Sequence, residues 1–204
     1  MNHRLKHLAL APLLAGALHA ADAQTHWAAT WIAPAQPLWG PGFVLPLGMP
    51  EQLENTTVRQ FLRVSVGGER VRIVVDNRHG DQPLEVGRAV VALDDERAGG
   101  LPVRFAGAGH VSVAAGARAI SDPVDLPVAA AARLRLDLYL PRRTRIAGFH
   151  WDAHDRTLLL PGDMAGRLAP QGAQALSTRA FLSSVLVESA RRAQAVVAPG
   201  ESIS

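Results

Sequence analysis

From Thr57 onward the chain alternates between apolar and polar positions. In TVRQFLRVSV (57–66), Val58, Leu62, Val64 and Val66 fall on one side of an extended chain and Arg59, Arg63 and Ser65 on the other, with Gln60 and Phe61 breaking the alternation. A period of two belongs to a half-buried β-strand, whose successive side chains point to opposite faces. ERVRIVVD (69–76) repeats the pattern with Val71, Ile73 and Val75. Gly67 and Gly68 between the two runs offer the positive φ of a two-residue turn, so 57–76 reads as a β-hairpin. The most regular run is RLRLDLYL (133–140), where Leu134, Leu136, Leu138 and Leu140 alternate with Arg133, Arg135, Asp137 and Tyr139 before Pro141 closes it. Shorter strands are expected in LEVGRAVVAL (84–93), VRFAG (103–107), HVSV (110–113), ARAISDPVDL (117–126) and STRAFLSSVLV (177–187). Many short strands with one wet face, separated by Gly, Pro and Asp, predict a mainly β fold. An antiparallel β-sandwich or jelly roll fits better than a parallel sheet with crossover helices.

The flanks differ from this middle. Residues 24–54 are rich in Pro, Gly and Trp and predict an irregular lead-in lying over the core. After residue 187 the chain turns polar in ESARRAQ and then wholly apolar in AVVA, bounded by Pro199-Gly200. A run without alternation suits a strand buried on both faces, as in an α/β unit, although SARRAQAVV also fits a turn of helix. The expected organisation is a targeting segment (1–23), a β-sandwich (24–187), and a linker with the first strand of an incomplete α/β unit (188–204).

Composition narrows the classes. Apolar residues make up 48% of the 204-residue chain, enough for a folded core and too many for a disordered segment. Lys6 is the only lysine, so arginine sets the sequence pI near 10.4. The arginines are scattered and form no basic run, which argues against a nucleic-acid partner. Without cysteine there are neither disulfides nor thiolate ligands. Arg4 and Lys6, the apolar stretch Leu8–Leu18 and the A-x-A site Ala21-Asp22-Ala23 form an export signal, with maturation expected at Gln24 and an uncleaved anchor as the alternative. No stretch is long enough to span a membrane as a helix. Secretion or a periplasmic location is the expectation.

Chemistry-bearing residues are sparse. Trp27, Trp31, Trp39 and Trp151 are candidates for a sugar-stacking platform or for anchors of a terminal segment. His150 and His154 stand four apart with Asp152 between them, too few ligands for zinc on their own. His79 falls in a turn, and Asn55-Thr56-Thr57 fits the glycan-acceptor pattern. The remaining signal is QAVVA followed by PGESIS (199–204).

That ending resembles the first conserved block of the SGNH (GDSL-type) hydrolases, a Gly-Asp-Ser turn after the first strand. Upstream, WAATWIAPAQP (27–37), NTTVRQFLRVSVGGERVRIVVDN (55–77), PLEVGRAVVAL (83–93), AISDPVDLPV (119–128), LRLDLYLP (134–141) and PGD (161–163) resemble, in order and spacing, the β-sandwich that precedes that block in secreted bacterial members. The resemblance implies that Ser202 is the nucleophile of acyl-ester hydrolysis, that its amide is one oxyanion donor, and that no cofactor is used. It implies an ester or acylated carbohydrate as substrate. Glu201 stands where the family has Asp. The oxyanion Gly and Asn and the Asp-x-x-His follow the serine in that family, so the expectation for these 204 residues is a hydrolase front part without turnover. Two alternatives remain: a stand-alone carbohydrate-binding sandwich, and a structural sandwich whose ending matches by chance.

Overall fold

Leu134, Leu136, Leu138 and Leu140 all lose their contact with water, and the sheet they belong to forms one half of the molecule. A computed structural model describes residues 26–38, 49–94, 99–151, 155–171 and 173–190. In chain order its strands are β1 (His26–Ile32), β2 (Gln36–Pro37), β3 (Gln52–Leu53), β4 (Thr56–Arg63), β5 (Arg70–Asp76), β6 (Leu84–Val86), β7 (Arg88–Leu93) and β8 (Leu101–Val103). They continue with β9 (Val111–Val113), β10 (Arg118–Ile120), β11 (Arg133–Leu140), β12 (Thr144–Arg145), β13 (Gly148–Phe149), β14 (Thr157–Pro161), β15 (Ala175–Leu176) and β16 (Leu182–Ser189). There is no helix among the described residues.

One sheet has six strands in the order β15-β14-β4-β11-β7-β8, and the other has four in the order β1-β16-β5-β10. All pairings in both are antiparallel. The core between them takes Val58 and Leu62 from β4, the four β11 leucines, Val71, Ile73 and Val75 from β5, and Val185 and Val187 from β16. Each fully buried leucine or valine contributes about 1.5–3 kcal/mol. The chain is therefore mainly β, an antiparallel sandwich as the alternation predicts.

The local hairpin is not formed. β4 pairs with β11 and β14, whereas β5 pairs with β16 and β10, so the chain between Val64 and Glu69 crosses from one sheet to the other. Gly67 and Gly68 are absent from the residues with positive φ, so they do not make the expected turn. Their use is close approach: a Cβ on Gly67 would stand 2.5 Å from the Val128 carbonyl oxygen, and the Gly68 amide donates to that same oxygen at 3.0 Å. Glycine satisfies either geometry, and the distant Val128 backbone decides which one forms.

Three further expectations change. LEVGRAVVAL is two strands, split at Gly87, with β6 pairing β9 while β7 joins the large sheet. The lead-in contains a real strand, β1, which pairs with β16 through six of its seven residues around a bulge at Thr30, and β16 itself runs two residues past 187. TLLLP (157–161), without regular alternation, is β14 and lies beside β4. The largest departure concerns the wet face of β4 and β11, where Arg59, Arg135 and Asp137 are buried with 2%, 4% and 0% exposure. The segment after β14 folds over them, and their charges compensate one another. The α/β strand expected at 195–198 lies outside the described residues.

Candidate functional site

Several of the residues singled out above also lie outside the described residues: Ser202 with Gly200 and Glu201, the export signal, Trp39, Asp152 and His154. The others are dispersed. His79 Nε2 lies 3.1 Å from the Ala35 carbonyl oxygen and His150 Nδ1 lies 3.2 Å from that of Pro34, so both rings tie their loops to the segment after β1. Among the described residues, no three His, Cys, Asp or Glu side chains gather as a metal site would require. Asn55 adopts φ 44° and its Oδ1 accepts from the Tyr139 hydroxyl at 2.8 Å, while Thr57 is fully buried and donates to Gly162 O.

Of the candidate platform, Trp27, Trp31 and Trp151 lie among the described residues. The Arg72 guanidinium lies 4.5 Å from the centre of the Trp27 ring, and that of Arg179 lies 5.0 Å from Trp31. Cation–π stacking thus occupies one face of each ring. Trp151, 43% exposed, is tilted against Phe149 with the ring centres 6.0 Å apart.

The arrangement with most chemical content is on the outer face of the six-stranded sheet. Residues 59 and 61 of β4 point the same way, and Asp137 of β11 stands directly across from Arg59. Arg59 grips Asp137 with two parallel bonds, Nε to Oδ1 at 2.6 Å and Nη2 to Oδ2 at 2.8 Å. This fork is the strongest geometry available to a guanidinium and a carboxylate. Nη2 also donates to the carbonyls of Met164 (3.1 Å) and Arg167 (2.7 Å), and the Gly166 amide donates to Asp137 Oδ2 at 2.8 Å. Together with the bonds of the Thr57 hydroxyl to Gly162 O and from the Met164 amide, these hold 162–168 on the sheet as a roof. Arg135, also buried, donates to the Gly99 carbonyl with its Nε 3.9 Å from Asp137 Oδ2.

Beside the ion pair the roof leaves a cleft of about 210 Å³, lined by Arg59, Phe61, Asp94, Arg135, Arg156 and Leu158 and edged by Leu168 and Ala169. The Arg156 guanidinium lies 4.3 Å from the centre of the Phe61 ring and has no ion pair among the described residues. Arg133 bridges Asp94 at 3.3 Å and Asp155 at 2.9 Å along one side. Sequence reasoning missed this site. Its one visible signal was charge at regular intervals on the two best-patterned strands, and only the register brings Arg59 to Asp137.

Fold and cleft together define a class: an antiparallel β-sandwich module with an arginine-lined cleft on one outer face. Compared with known protein-family models and with curated protein sequences, the chain matches none.

Proposed function

We propose that residues 26–190 are the accessory sandwich of a secreted, SGNH-type ester hydrolase and that Ser202 is its nucleophile. The observation that carries this reading is the pairing of β1 with β16. His26 stands opposite Ser189, and β16 has neighbours on both sides, β1 and β5. The described sandwich thus brings its first strand against its last, which suits a module ahead of a separate catalytic unit. QAVVAPGESIS comes shortly after, and its glycine-permitted turn after an apolar run is the sequence form that exposes a serine at a sheet edge. In this reading the ester, or acylated carbohydrate, is cleaved by attack of the Ser202 hydroxyl on the acyl carbon. The sandwich binds and positions and takes no part in bond breaking. A stand-alone sugar-binding module is less well supported, because guanidiniums already stack on Trp27 and Trp31.

The 204 residues alone are expected to show no turnover, because the oxyanion Gly and Asn and the Asp-x-x-His follow the serine in the family they resemble. The test is hydrolysis of a short chromogenic acyl ester by the full translation product of a gene that encodes these residues. Ser202→Ala is expected to lower turnover by about 10⁴-fold or more. Equal rates for the two proteins would remove Ser202 and the hydrolase reading with it.

A further inference from the structure

The arginine-lined cleft has open donors and an apolar wall that together specify a ligand. Of the nitrogens of Arg59, Nε and Nη2 are engaged by Asp137 and by the roof carbonyls, which leaves Nη1 without a partner among the described residues. Arg156 makes no ion pair there either, and stacking on Phe61 holds the plane of its guanidinium while its N–H edge stays open. The two arginines are close. Arg59 and Phe61 are alternate residues of one strand, about 7 Å apart along it, and Arg156 sits on Phe61, whose amide donates to the Arg156 carbonyl at 3.2 Å. Of the residues lining the cleft, Arg59 and Arg156 carry these open donors, and Asp94 and Asp137 are the carboxylates nearest them.

The other wall is apolar. Phe61 and Leu158 are nearly buried, whereas Leu168 at the mouth is 59% exposed, a large side chain facing water at the entrance to a charged cleft. Size limits the occupant. A cavity of about 150 Å³ accepts benzene, and drug-sized ligands need about 300 Å³ or more. At about 210 Å³ there is room for a single ring or a short chain with its headgroup.

We infer that this cleft binds a small organic carboxylate with a compact apolar body, of the size of benzoate or hexanoate. The carboxylate takes the N–H edge of Arg156 and Nη1 of Arg59, and the body lies against Leu158 and Leu168. A phosphate dianion would leave negative charge beside Asp94 and Asp137. A neutral alcohol of the same shape would leave both donors facing an apolar group, with the loss that unmade hydrogen bonds bring. The inference is independent of Ser202, and it stands or falls separately from the proposed hydrolase function.

Titration of the full chain with benzoate, benzyl alcohol and sulfate, followed by backbone amide NMR, tests it. Benzoate should bind saturably with one site, shifting amides at 59–61, 156–158 and 166–169, and benzyl alcohol should bind at least about tenfold more weakly. Arg156→Gln removes a side chain that makes no ion pair among the described residues, so the melting temperature should hold while benzoate affinity falls about tenfold, the scale of a charge-assisted hydrogen bond partly open to water. Leu168→Asp, at the exposed mouth, should weaken benzoate likewise, and Ser202→Ala should leave it unchanged. Four results would each overturn the inference: no saturable binding, equal affinity for benzyl alcohol, equal affinity for sulfate (an adventitious ion only), or benzoate binding indifferent to both cleft variants.

Discussion

Asp137 accepts both bonds of the Arg59 fork and the Gly166 amide, in a place with no access to water. Its removal strands a buried cation as well as the roof. Asp137→Asn is therefore expected to cost about 3–5 kcal/mol, the usual penalty for breaking a buried pair from one side, as read from urea unfolding. A loss under about 1 kcal/mol would mean that the roof and Arg59 are held by other means. Arg179 is the opposite case, a buried guanidinium with no carboxylate bonded to it among the described residues. Nη2 donates to the Phe61 carbonyl, Nη1 has no hydrogen bond, and Trp31 lies under the cation. Burial pushes this guanidinium down from its ordinary value to about 10, with Asp155 opposing the shift. Below about pH 9 Arg179 is charged both folded and unfolded, so the stability difference between wild type and Arg179→Met should stay level from about pH 6 to 9. Above about pH 10 the folded guanidinium releases its proton before the unfolded one, and the difference should move in favour of the wild type. Denaturant melts across this range would show it, and a slope of opposite sign would contradict the burial argument.

At the scale of elements, alternation identified the inward faces well. Val58, Leu62, Val71, Ile73, Val75 and the β11 leucines are all fully buried. Pairing was not legible, because the cue for a hairpin is local while the crossing at Gly67 is decided by the backbone of 128–130 brought in from another part of the chain. Gly67→Ala should destabilise the protein by about 1–3 kcal/mol, as overpacking does. Gly109→Ala, with open space around its Cα and ordinary φ, should stay within about 0.5 kcal/mol. Thermal melts of the two variants decide the matter, and equal effects would mean that 64–69 is a turn after all. β1 escaped notice because Pro34, Pro37 and the tryptophans suggested irregular chain, yet an edge strand tolerates prolines just beyond its end. The cleft escaped notice for a related reason. A strand such as β11, with Arg133, Arg135 and Asp137 on alternate positions, reads as wet, and nothing in the spacing reveals that 162–168 will cover part of it.

For the whole molecule, two sheets share one core and the chain enters and leaves at the β1–β16 pair. This is the architecture that the pattern of short strands predicts, and the proposals above put chemistry at two places of different kind. One is a cationic cleft built from paired strands and a roof, suited to holding a ligand. The other, in the proposed function, is the serine of PGESIS in the sequence after the sandwich. Within the sandwich, the hydroxyls of Ser65, Ser112, Ser121 and Ser183 bond to Thr30 O, the Glu85 carboxylate, Asp122 O and Val74 O, and none of these partners is a histidine. Reaction of the full translation product with a fluorophosphonate, followed by mapping of the modified peptide, tests the division most directly. The account predicts a covalent adduct on Ser202 and on no serine between residues 26 and 190. An adduct within the sandwich, with Ser202 untouched, would contradict it.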